Sequence, residues 1–311
     1  MNQTTTTRKN ILLSLFLFIS GSLLAQQERL IVKTYPVKEG TVTVYLPPLS
    51  SSVTISGTVM AEPSGNSEKE RNKNTGILKN YRLIIGQITI AVSERSFHCQ
   101  IPTTASALTL ELKTERGETI KKEDFPCSKP VTQTNLFIPP PYIVAGDPAQ
   151  IKGNFDGNSS NTNVNINGKK VEILAESPRG TYFKAPEEVK GKAQLECTEN
   201  GKSQASIPNS LKLELTADKL NLQKGESTQI HVKVSGLEGL NEPVPLNITN
   251  LSVSTITLQS GNAQEIIIDP SKTGSTGIYE TSRSVQSLKT GNFTISASIP
   301  QPGDSTGIGM N

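Results

Sequence analysis

The stretch NVNINGKKVEIL at residues 163–174 decides the fold class of this chain. Val164 and Ile166 alternate with asparagines, and Val171 and Ile173 flank a glutamate, which is the period of two that a half-buried β-strand shows. Asn167-Gly168 separates the two runs, and this dipeptide favours the tight turn of a two-residue β-hairpin. The segment therefore predicts an antiparallel hairpin with one apolar face.

Short alternating runs separated by turn residues continue on both sides of this hairpin, and no stretch shows sustained helical spacing. Residues 81–92 are predicted as one long strand with a bend at Gly86. Residues 62–80 are rich in charged and amide side chains, and we predict a solvated polar loop there. The other predicted strands include residues 41–46, 53–59, 108–112, 211–215, 228–234, 244–248, 265–268 and 293–299. We predict an all-β protein built of tandem immunoglobulin-like β-sandwich domains.

Length and composition indicate several domains. The 311 residues exceed the usual size of a single β-sandwich. The prolines within residues 138–142 remove backbone donors and enforce an extended conformation, which predicts a stiff linker, and a second border falls within residues 206–210. The predicted divisions are a β-sandwich at 27–138, a β-sandwich at 139–209, an Ig-like β-sandwich at 210–300 and a disordered tail at 301–311.

The N-terminal residues have the pattern of a secretory signal peptide. Arg8 and Lys9 precede a short apolar run at residues 11–19, and small residues follow as far as Ala25. A run of this length is too short to cross a bilayer, which takes about 20 apolar residues. We predict a signal peptide at residues 1–25 that is cleaved after Ala25, with an uncleaved membrane anchor as the alternative. The chain is then exported to the periplasm, the cell surface or the medium.

The net charge gives no reason to expect nucleic acid as a partner. The formal charge is +3, and removal of the two basic residues Arg8 and Lys9 lowers it to +1. Nucleic acids are bound through clusters of basic side chains on one face. No second long apolar run follows the first, so we expect no transmembrane segment in the exported chain.

Three cysteines, Cys99, Cys127 and Cys197, follow the signal peptide. An oxidising compartment permits disulfides, and we predict a Cys99–Cys127 bridge, with two unpaired buried thiols as the alternative. Alternation places Cys197 on an apolar strand face, so we expect a small core side chain there. A catalytic thiol needs an exposed position beside a base or a positive charge, and the sequence indicates no such position for any of the three. Their spacing matches no zinc motif.

The sequence offers no clear catalytic or metal-binding constellation. His98 and His231 each lie between apolar-face residues, so both are predicted to face solvent, in different domains. Calcium needs several clustered oxygen ligands, and Asn154, Asp156 and Asn158 supply one carboxylate among them. The carboxylate pairs weighed for glycoside hydrolysis are Asp147 with Asp156 and Glu187 with Glu188. We predict no catalytic residue, no metal ligand, no cofactor and no enzymatic activity.

Sugar binding is the alternative that the aromatic residues leave open. The chain has no tryptophan to supply a flat stacking face, and six tyrosines remain. Tyr45 falls opposite an apolar strand face and is predicted to be exposed, whereas Tyr35 and Tyr142 lie beside prolines and could form contacts.

Two of the predicted domains resemble known families. The second resembles the IPT/TIG family, an immunoglobulin-like sandwich common in bacterial surface proteins and in some transcription factors; the family's usual double glycine in the first turn is absent here. The third resembles the Ig-like modules of bacterial adhesins, and Gly277-x-Tyr279 is similar to the tyrosine corner of that architecture. The residues that carry the IPT/TIG resemblance are Gly153, Phe155, Val164, Ile166, Asn167, Gly168, Val171, Ala185, Pro186 and Gly201. The resemblance implies a spacer or binding role.

We therefore expect an exported, non-catalytic protein that acts as a structural or protein-binding component. Its partner would be an envelope or extracellular protein. The alternative is a glycan-binding accessory module or a divergent hydrolase. A cleft lined by converging carboxylates would favour that alternative, whereas a long groove without an acid pair, or an exposed apolar edge, would favour the first expectation.

Overall fold

The computed structural model describes residues 29–129, 137–189, 191–219, 221–259 and 261–300. Within these ranges the chain forms mostly antiparallel β-sheets and a single α-helix, so the all-β prediction is confirmed. The predicted signal peptide at 1–25, its cleavage after Ala25 and the predicted tail at 301–311 lie outside the described residues.

The strands follow one another along the whole described chain. The first group is β1 (Ile31–Val37), β2 (Gly40–Leu46), β3 (Thr54–Pro63), α1 (Glu68–Leu78), β4 (Arg82–Ile85), β5 (Ile88–Ala91), β6 (Ser96–Gln100), β7 (Ala107–Lys113) and β8 (Thr119–Pro126). The second group is β9 (Tyr142–Val144), β10 (Pro148–Lys152), β11 (Thr162–Ile166), β12 (Lys169–Lys170), β13 (Ile173–Ser177), β14 (Gly180–Lys184), β15 (Gly191–Lys192), β16 (Leu195–Glu199) and β17 (Lys202–Ser206). The third group is β18 (Asn209–Ala217), β19 (Asn221–Leu222), β20 (Ser227–Ser235), β21 (Val244–Asn250), β22 (Ile256–Leu258), β23 (Ala263–Ile268), β24 (Ile278–Ser287), β25 (Gly291–Asn292) and β26 (Ile295–Ser298).

Sheets continue across both predicted borders. A seven-stranded sheet has the order β1-β2-β3-β13-β14-β10, with β6 also paired to β3. Its β3–β13 contact places Ser56 opposite Glu176 and Gly57 opposite Ala175. Further along, β18 pairs in parallel with β9 and antiparallel with β15. Backbone hydrogen bonds therefore connect each predicted domain to the next.

The larger groups of buried apolar side chains follow the chain order. The first group contains residues between 35 and 125, and the second contains residues between 143 and 197. The third group contains residues between 211 and 299, together with Tyr142 and Val144 of β9. The division at 27–138, 139–209 and 210–300 stays a prediction, and the sheet pairings show that any such domains share strand ladders.

The hairpin that decides the fold class is present as predicted. β11 and β12 pair antiparallel around Asn167 and Gly168, which have φ angles of 51° and 75°. Two successive residues with positive φ define the turn whose twist matches the flanking strands. Val164 and Ile166 are fully buried on the inward face.

The prediction of a polar loop at residues 62–80 is wrong for residues 68–78, which form α1. Ser67 is its N-cap and accepts a hydrogen bond from the Glu70 backbone N–H at 3.2 Å. Only Leu78 of this helix is buried, so no apolar period marked it. The Ser67-x-x-Glu70 spacing was the available signal, because it matches a capping box.

The prediction of one long strand at residues 81–92 is also wrong. The segment is a hairpin in which β4 and β5 pair with Ile85 opposite Ile88. Gly86 has a φ of 57°, and glycine at the first turn position suits a two-residue hairpin connection. The glycine reverses the chain instead of bending it.

Candidate metal centre

Three carboxylates from distant parts of the sequence meet beside the seven-stranded sheet. Asp156 follows β10, Glu176 lies in β13 and Glu199 ends β16. One oxygen from each lies within 4.8 Å of the oxygens of the other two. We refer to Asp156, Glu176 and Glu199 as the acidic cluster.

Glu176 is the buried member of the acidic cluster, with 0% of its surface exposed. Glu176 lies in β13, which pairs with β14 on one side and β3 on the other. The last four residues of β13 are all buried, so both faces of the sheet are covered at this point. Among the described residues, neither carboxylate oxygen of Glu176 has a hydrogen-bond partner. Such a group is costly as an isolated charge, because water no longer solvates it.

The environment of Glu176 opposes its ionisation. Burial raises the pKa of its carboxyl to about 7, and the negative charges of Glu199 and Asp156 act in the same direction. The hydroxyls of Thr162 and Thr181 oppose this shift, but neither makes a hydrogen bond of ordinary length to a described residue. The carboxyl therefore lacks the neighbours that normally satisfy a buried acid.

Asp156 is held firmly by the loop around it. Its Oδ1 accepts a hydrogen bond from the Asn158 backbone N–H at 2.7 Å. Its Oδ2 accepts bonds from Asn161 Nδ2 at 2.7 Å and Asn200 Nδ2 at 3.3 Å. Burial raises the pKa of Asp156, but these hydrogen bonds outweigh it and leave the pKa below its usual value. Asp156 is therefore the member of the acidic cluster that its surroundings favour most in the charged form.

Glu199 connects the loop to the neighbouring sheet. Its Oε1 accepts a hydrogen bond from the Asp156 backbone N–H at 2.7 Å. Burial raises the pKa of its carboxyl; the Asp156 N–H bond and the charge of Lys202 oppose this shift, while the Asp156 carboxylate adds to it. The tight turn at Asn200-Gly201, with φ angles of 47° and 79°, sets the position of Glu199 at the end of its strand.

The acidic cluster opens onto a surface groove of about 740 Å³. Asp156 and Glu199 line the groove together with Phe137, Phe155 and Lys202. A cleft lined by converging carboxylates is the feature expected for the alternative function, a hydrolase or a glycan-binding module. The groove therefore supports that alternative.

The sequence indicated only one member of the acidic cluster. Asp156 was recognised, but its expected companions Asn154 and Asn158 are not the carboxylates that the fold brings to it. Asp147 precedes β10 and Asp156 follows its other end, and Asp147 is not in the acidic cluster. The pair Glu187 and Glu188 is exposed, in a turn. The missed signal was Glu176 itself, a charged residue within the inward-facing run ILAES at residues 173–177.

Both histidines face solvent as predicted, and His231 has polar neighbours. Its Nδ1 lies 2.9 Å from Ser282 Oγ and its Nε2 lies 3.0 Å from Asp218 Oδ1. These are side chains on the exposed face of a sheet in which His231 pairs directly with Ser282.

The cysteines are thiols in this structure: Cys99 is buried, Cys127 is half-buried and Cys197 is buried. The Cys99–Cys127 disulfide stays a prediction. Cys197 lies in the core as expected, where burial and the charges of Glu176 and Glu199 raise its pKa to about 12. It therefore remains a neutral thiol next to the acidic cluster.

The tyrosines considered for sugar contact are largely covered. Tyr35 and Tyr142 are buried, and their hydroxyls donate hydrogen bonds to Glu123 Oε2 and the Pro300 carbonyl. The prediction of an exposed Tyr45 is wrong, because this side chain is half-buried against a small cluster around Leu174, Ala175 and Tyr182. Side chains of β13 and β14, which belong to the same seven-stranded sheet, pack beside Tyr45 on the face that alternation assigned to solvent.

Comparisons with known proteins give a fold-level likeness alone. No protein-family model matches the sequence, and a search of curated proteins returns no match. The chain is similar to SGBP-B of the mixed-linkage glucan utilization locus of Bacteroides ovatus, solved in complex with a mixed-linkage heptasaccharide, with 15% identity over 80% of this chain and 72% of that chain and a TM-score of 0.25. It is also similar to SGBP-B from a xyloglucan utilization locus in Bacteroides uniformis, with 10% identity over 86% of this chain and 98% of that chain and a TM-score of 0.25. The I9–I11 tandem of titin has 9% identity over 83% of this chain and 98% of that chain, with a TM-score of 0.21. At these values the likenesses assign no residue, ligand or activity to this chain.

Among the described residues, no helix has the length and apolar character needed to span a membrane.

Proposed function

We propose that this chain is an exported, non-catalytic protein that holds protein-binding surfaces at fixed positions relative to one another. The observation that supports this is the continuation of β-ladders across both predicted borders, through β3–β13 and through β18 with β9 and β15. Backbone hydrogen bonds of this kind resist hinge motion, in contrast to a flexible linker. The partner would be an envelope or extracellular protein.

Side-chain hydrogen bonds reinforce the first junction. Ser56 Oγ donates to the Gly157 carbonyl at 2.8 Å, and Thr58 Oγ1 donates to the Ile173 carbonyl at 3.1 Å. Ser56 is buried, so its hydrogen bonds are shielded from water.

The second junction has the same character. Asn209 Nδ2 donates to the carbonyls of Gly236 and Glu238, each at 2.9 Å. Ser210 Oγ donates to the Val189 carbonyl at 2.9 Å, within buried surroundings. Both junctions therefore support a rigid spacer or scaffold.

A group of exposed apolar side chains offers a contact surface on the third predicted domain. Leu251 and Val253 are 62% and 56% exposed, and Leu288 is 44% exposed. Their loops are connected, because the Leu288 N–H donates to the Thr255 carbonyl at 2.7 Å. Contiguous patches of exposed apolar side chains are typical of protein contact sites, and we propose that these three side chains belong to one such patch.

The test is crosslinking in intact cells, followed by purification and mass spectrometry. We expect a specific envelope or extracellular protein to be recovered with the wild-type chain, and its yield to fall several-fold in the double variant Leu251→Ser, Val253→Ser. Ile207→Ser is the matched control, because Ile207 is 67% exposed elsewhere on the chain. Equal recovery from all three chains would reject this contact surface, and recovery of a degraded polysaccharide alone would reject the proposed function.

The groove supports a second candidate, a paired-carboxylate glycoside hydrolase. Asp156 has a lowered pKa and Glu199 a raised one, which suits a base or nucleophile beside an acid. One oxygen of each lies within 4.8 Å of the other, which is closer than the about 6.5–9.5 Å between the carboxyl groups of inverting enzymes and so favours a retaining mechanism. Release of reducing ends from a polysaccharide by the wild-type chain, and its loss in both Asp156→Asn and Glu199→Gln, would replace the first proposal with this one.

A further inference from the structure

We propose that Asp156, Glu176 and Glu199 bind a divalent cation, for which calcium is the best fit, where the first and second predicted domains meet. This departs from the sequence-based expectation of no metal ligand. It requires neither a protein partner nor hydrolase activity.

The carboxylate of Glu176 supplies the main argument. It is completely buried, its oxygens have no hydrogen-bond partner among the described residues, and it faces two further carboxylates. A single added proton would neutralise Glu176 but would leave its remaining lone pairs without a hydrogen-bond donor among the described residues. A cation placed between the three carboxylates would satisfy all of them together.

The rest of the acidic cluster is already arranged around that position. The Asn161 and Asn200 amides hold Asp156 Oδ2, and the Asp156 backbone N–H holds Glu199 Oε1. Carboxylate ligands fixed in this way lose little side-chain entropy when an ion binds. The groove outside Asp156 and Glu199 would provide the path of entry.

The chemistry of the ligands selects the class of ion. Three carboxylates offer up to six oxygens, and hard oxygen ligands suit calcium or magnesium rather than zinc or copper. Cys197 borders the groove, but it is buried and packs within the apolar core of the second predicted domain. Calcium tolerates irregular, partly bidentate coordination, whereas magnesium requires a near-octahedral shell and retains its waters. Glu176 is fully buried in a β-strand, which leaves little room for the water molecules that magnesium retains, so the site favours calcium.

The location of the site gives the ion a structural effect. Glu176 pairs directly with Ser56 of β3, and Ser56 also receives a hydrogen bond from the Ser159 N–H at 3.1 Å. The Asp156 loop therefore lies against a strand of the first predicted domain, and Glu199 belongs to another sheet. An ion that joins the three carboxylates would stabilise the junction as a whole.

The experiment uses the purified chain, stripped with EDTA and then titrated with CaCl2 or MgCl2, with isothermal calorimetry and thermal unfolding as measurements. We expect one calcium per chain with a dissociation constant of about 10⁻⁴ M, as in extracellular modules. At 10 mM CaCl2 the folding equilibrium constant should then rise about 100-fold, with a clear increase in the melting temperature. MgCl2 should give a markedly smaller increase.

Glu176→Gln is the decisive variant, and Glu188→Gln is its matched control. Both substitutions remove one carboxylate from the same predicted domain, but Glu188 is exposed and lies outside the acidic cluster. We expect Glu176→Gln to be at least as stable as the wild type in EDTA, because an uncompensated buried acid is removed, and to gain nothing from calcium. Glu188→Gln should respond to calcium as the wild type does.

Several outcomes would overturn the proposal. Absence of calorimetric binding and of a calcium-dependent melting shift in the wild-type chain would reject the site, as would an unchanged calcium response in Glu176→Gln. If Glu176→Gln does not fold, Glu199→Gln takes its place, because Glu199 is only half-buried. Calcium binding without a crosslinked protein partner would leave this proposal standing while rejecting the proposed function.

Discussion

At the scale of single residues, the junction depends on a few positions where the backbone approaches closely. Gly157 follows Asp156 and has a φ of 78°, and its carbonyl accepts the Ser56 hydroxyl. A Cβ atom at Gly157 would lie 2.1 Å from the Thr54 carbonyl oxygen. The loop that carries Asp156 can therefore reach β3 only because residue 157 has no side chain.

Gly157→Ala should destabilise the chain more than Gly168→Ala does. Both glycines have a positive φ, but a Cβ at Gly168 meets nothing within 4 Å. Gly168→Ala therefore incurs only the conformational cost, about 1 kcal/mol. Gly157→Ala adds a clash with backbone, so we expect a loss of about 3 kcal/mol in the free energy of unfolding measured with urea. Equal losses would show that the loop does not need this close approach.

The alternation of apolar and polar residues along the strands predicts part of the site but not the acidic cluster. Alternation correctly predicted the inward Cys99 and Cys197 and the outward His98 and His231, because each strand has one covered face. It could not find the acidic cluster, because Asp156, Glu176 and Glu199 come from separate strands and loops. Alternation placed Tyr45 on the correct face but gave the wrong exposure, because it does not reveal which strands are covered on both sides.

At the scale of elements, α1 shows a helix that forms without an apolar face. Its stability comes from the Ser67 cap and from the Glu70 carboxylate, which accepts a hydrogen bond from the Asn66 N–H at 3.0 Å. Ser67→Ala should destabilise the helix by about 1 kcal/mol and speed amide exchange within residues 68–78. Global unfolding should change little, because only Leu78 is buried.

Gly76→Ala should act on α1 in the opposite direction. Gly76 lies inside the helix, and a Cβ there would meet nothing within 4 Å. Alanine reduces the entropy of the unfolded chain and favours the helix by about 0.5–1 kcal/mol. Slower amide exchange in residues 68–78 is the expected result, and faster exchange would mean that α1 needs the glycine for a contact.

Individual strands and hairpins were predicted from the sequence, whereas the order of the strands in the sheets was not. The strands of the third predicted domain and the hairpin at Asn167-Gly168 were predicted from alternation and turn residues. The pairing of β3 with β13 was not, because strand order depends on contacts between residues more than 100 positions apart. The IPT/TIG resemblance describes local turns and gives no information on that pairing.

At the scale of the whole molecule, a shared sheet means that the first two predicted domains should lose structure together. The buried Ser56 hydroxyl donates to the Gly157 carbonyl and accepts from the Ser159 N–H, so Ser56→Ala leaves a buried carbonyl and a partly buried N–H without this partner. We expect a loss of about 2 kcal/mol and a joint shift of the first and second domain transitions in calorimetry. Thr34→Val is the control, because Thr34 pairs with Thr43 on an exposed part of the same sheet.

The proposed cation site predicts how that joint transition responds to calcium. If the acidic cluster binds the ion, calcium raises the joint transition in wild type and in Thr34→Val, because both keep the cluster and the junction. In Ser56→Ala the Asp156 loop is attached less firmly to β3, so calcium should still raise the transition but with a weaker apparent affinity. A transition that shifts in the second domain alone would mean that the ion stabilises one β-sandwich and that the junction is maintained by the β3–β13 ladder without it.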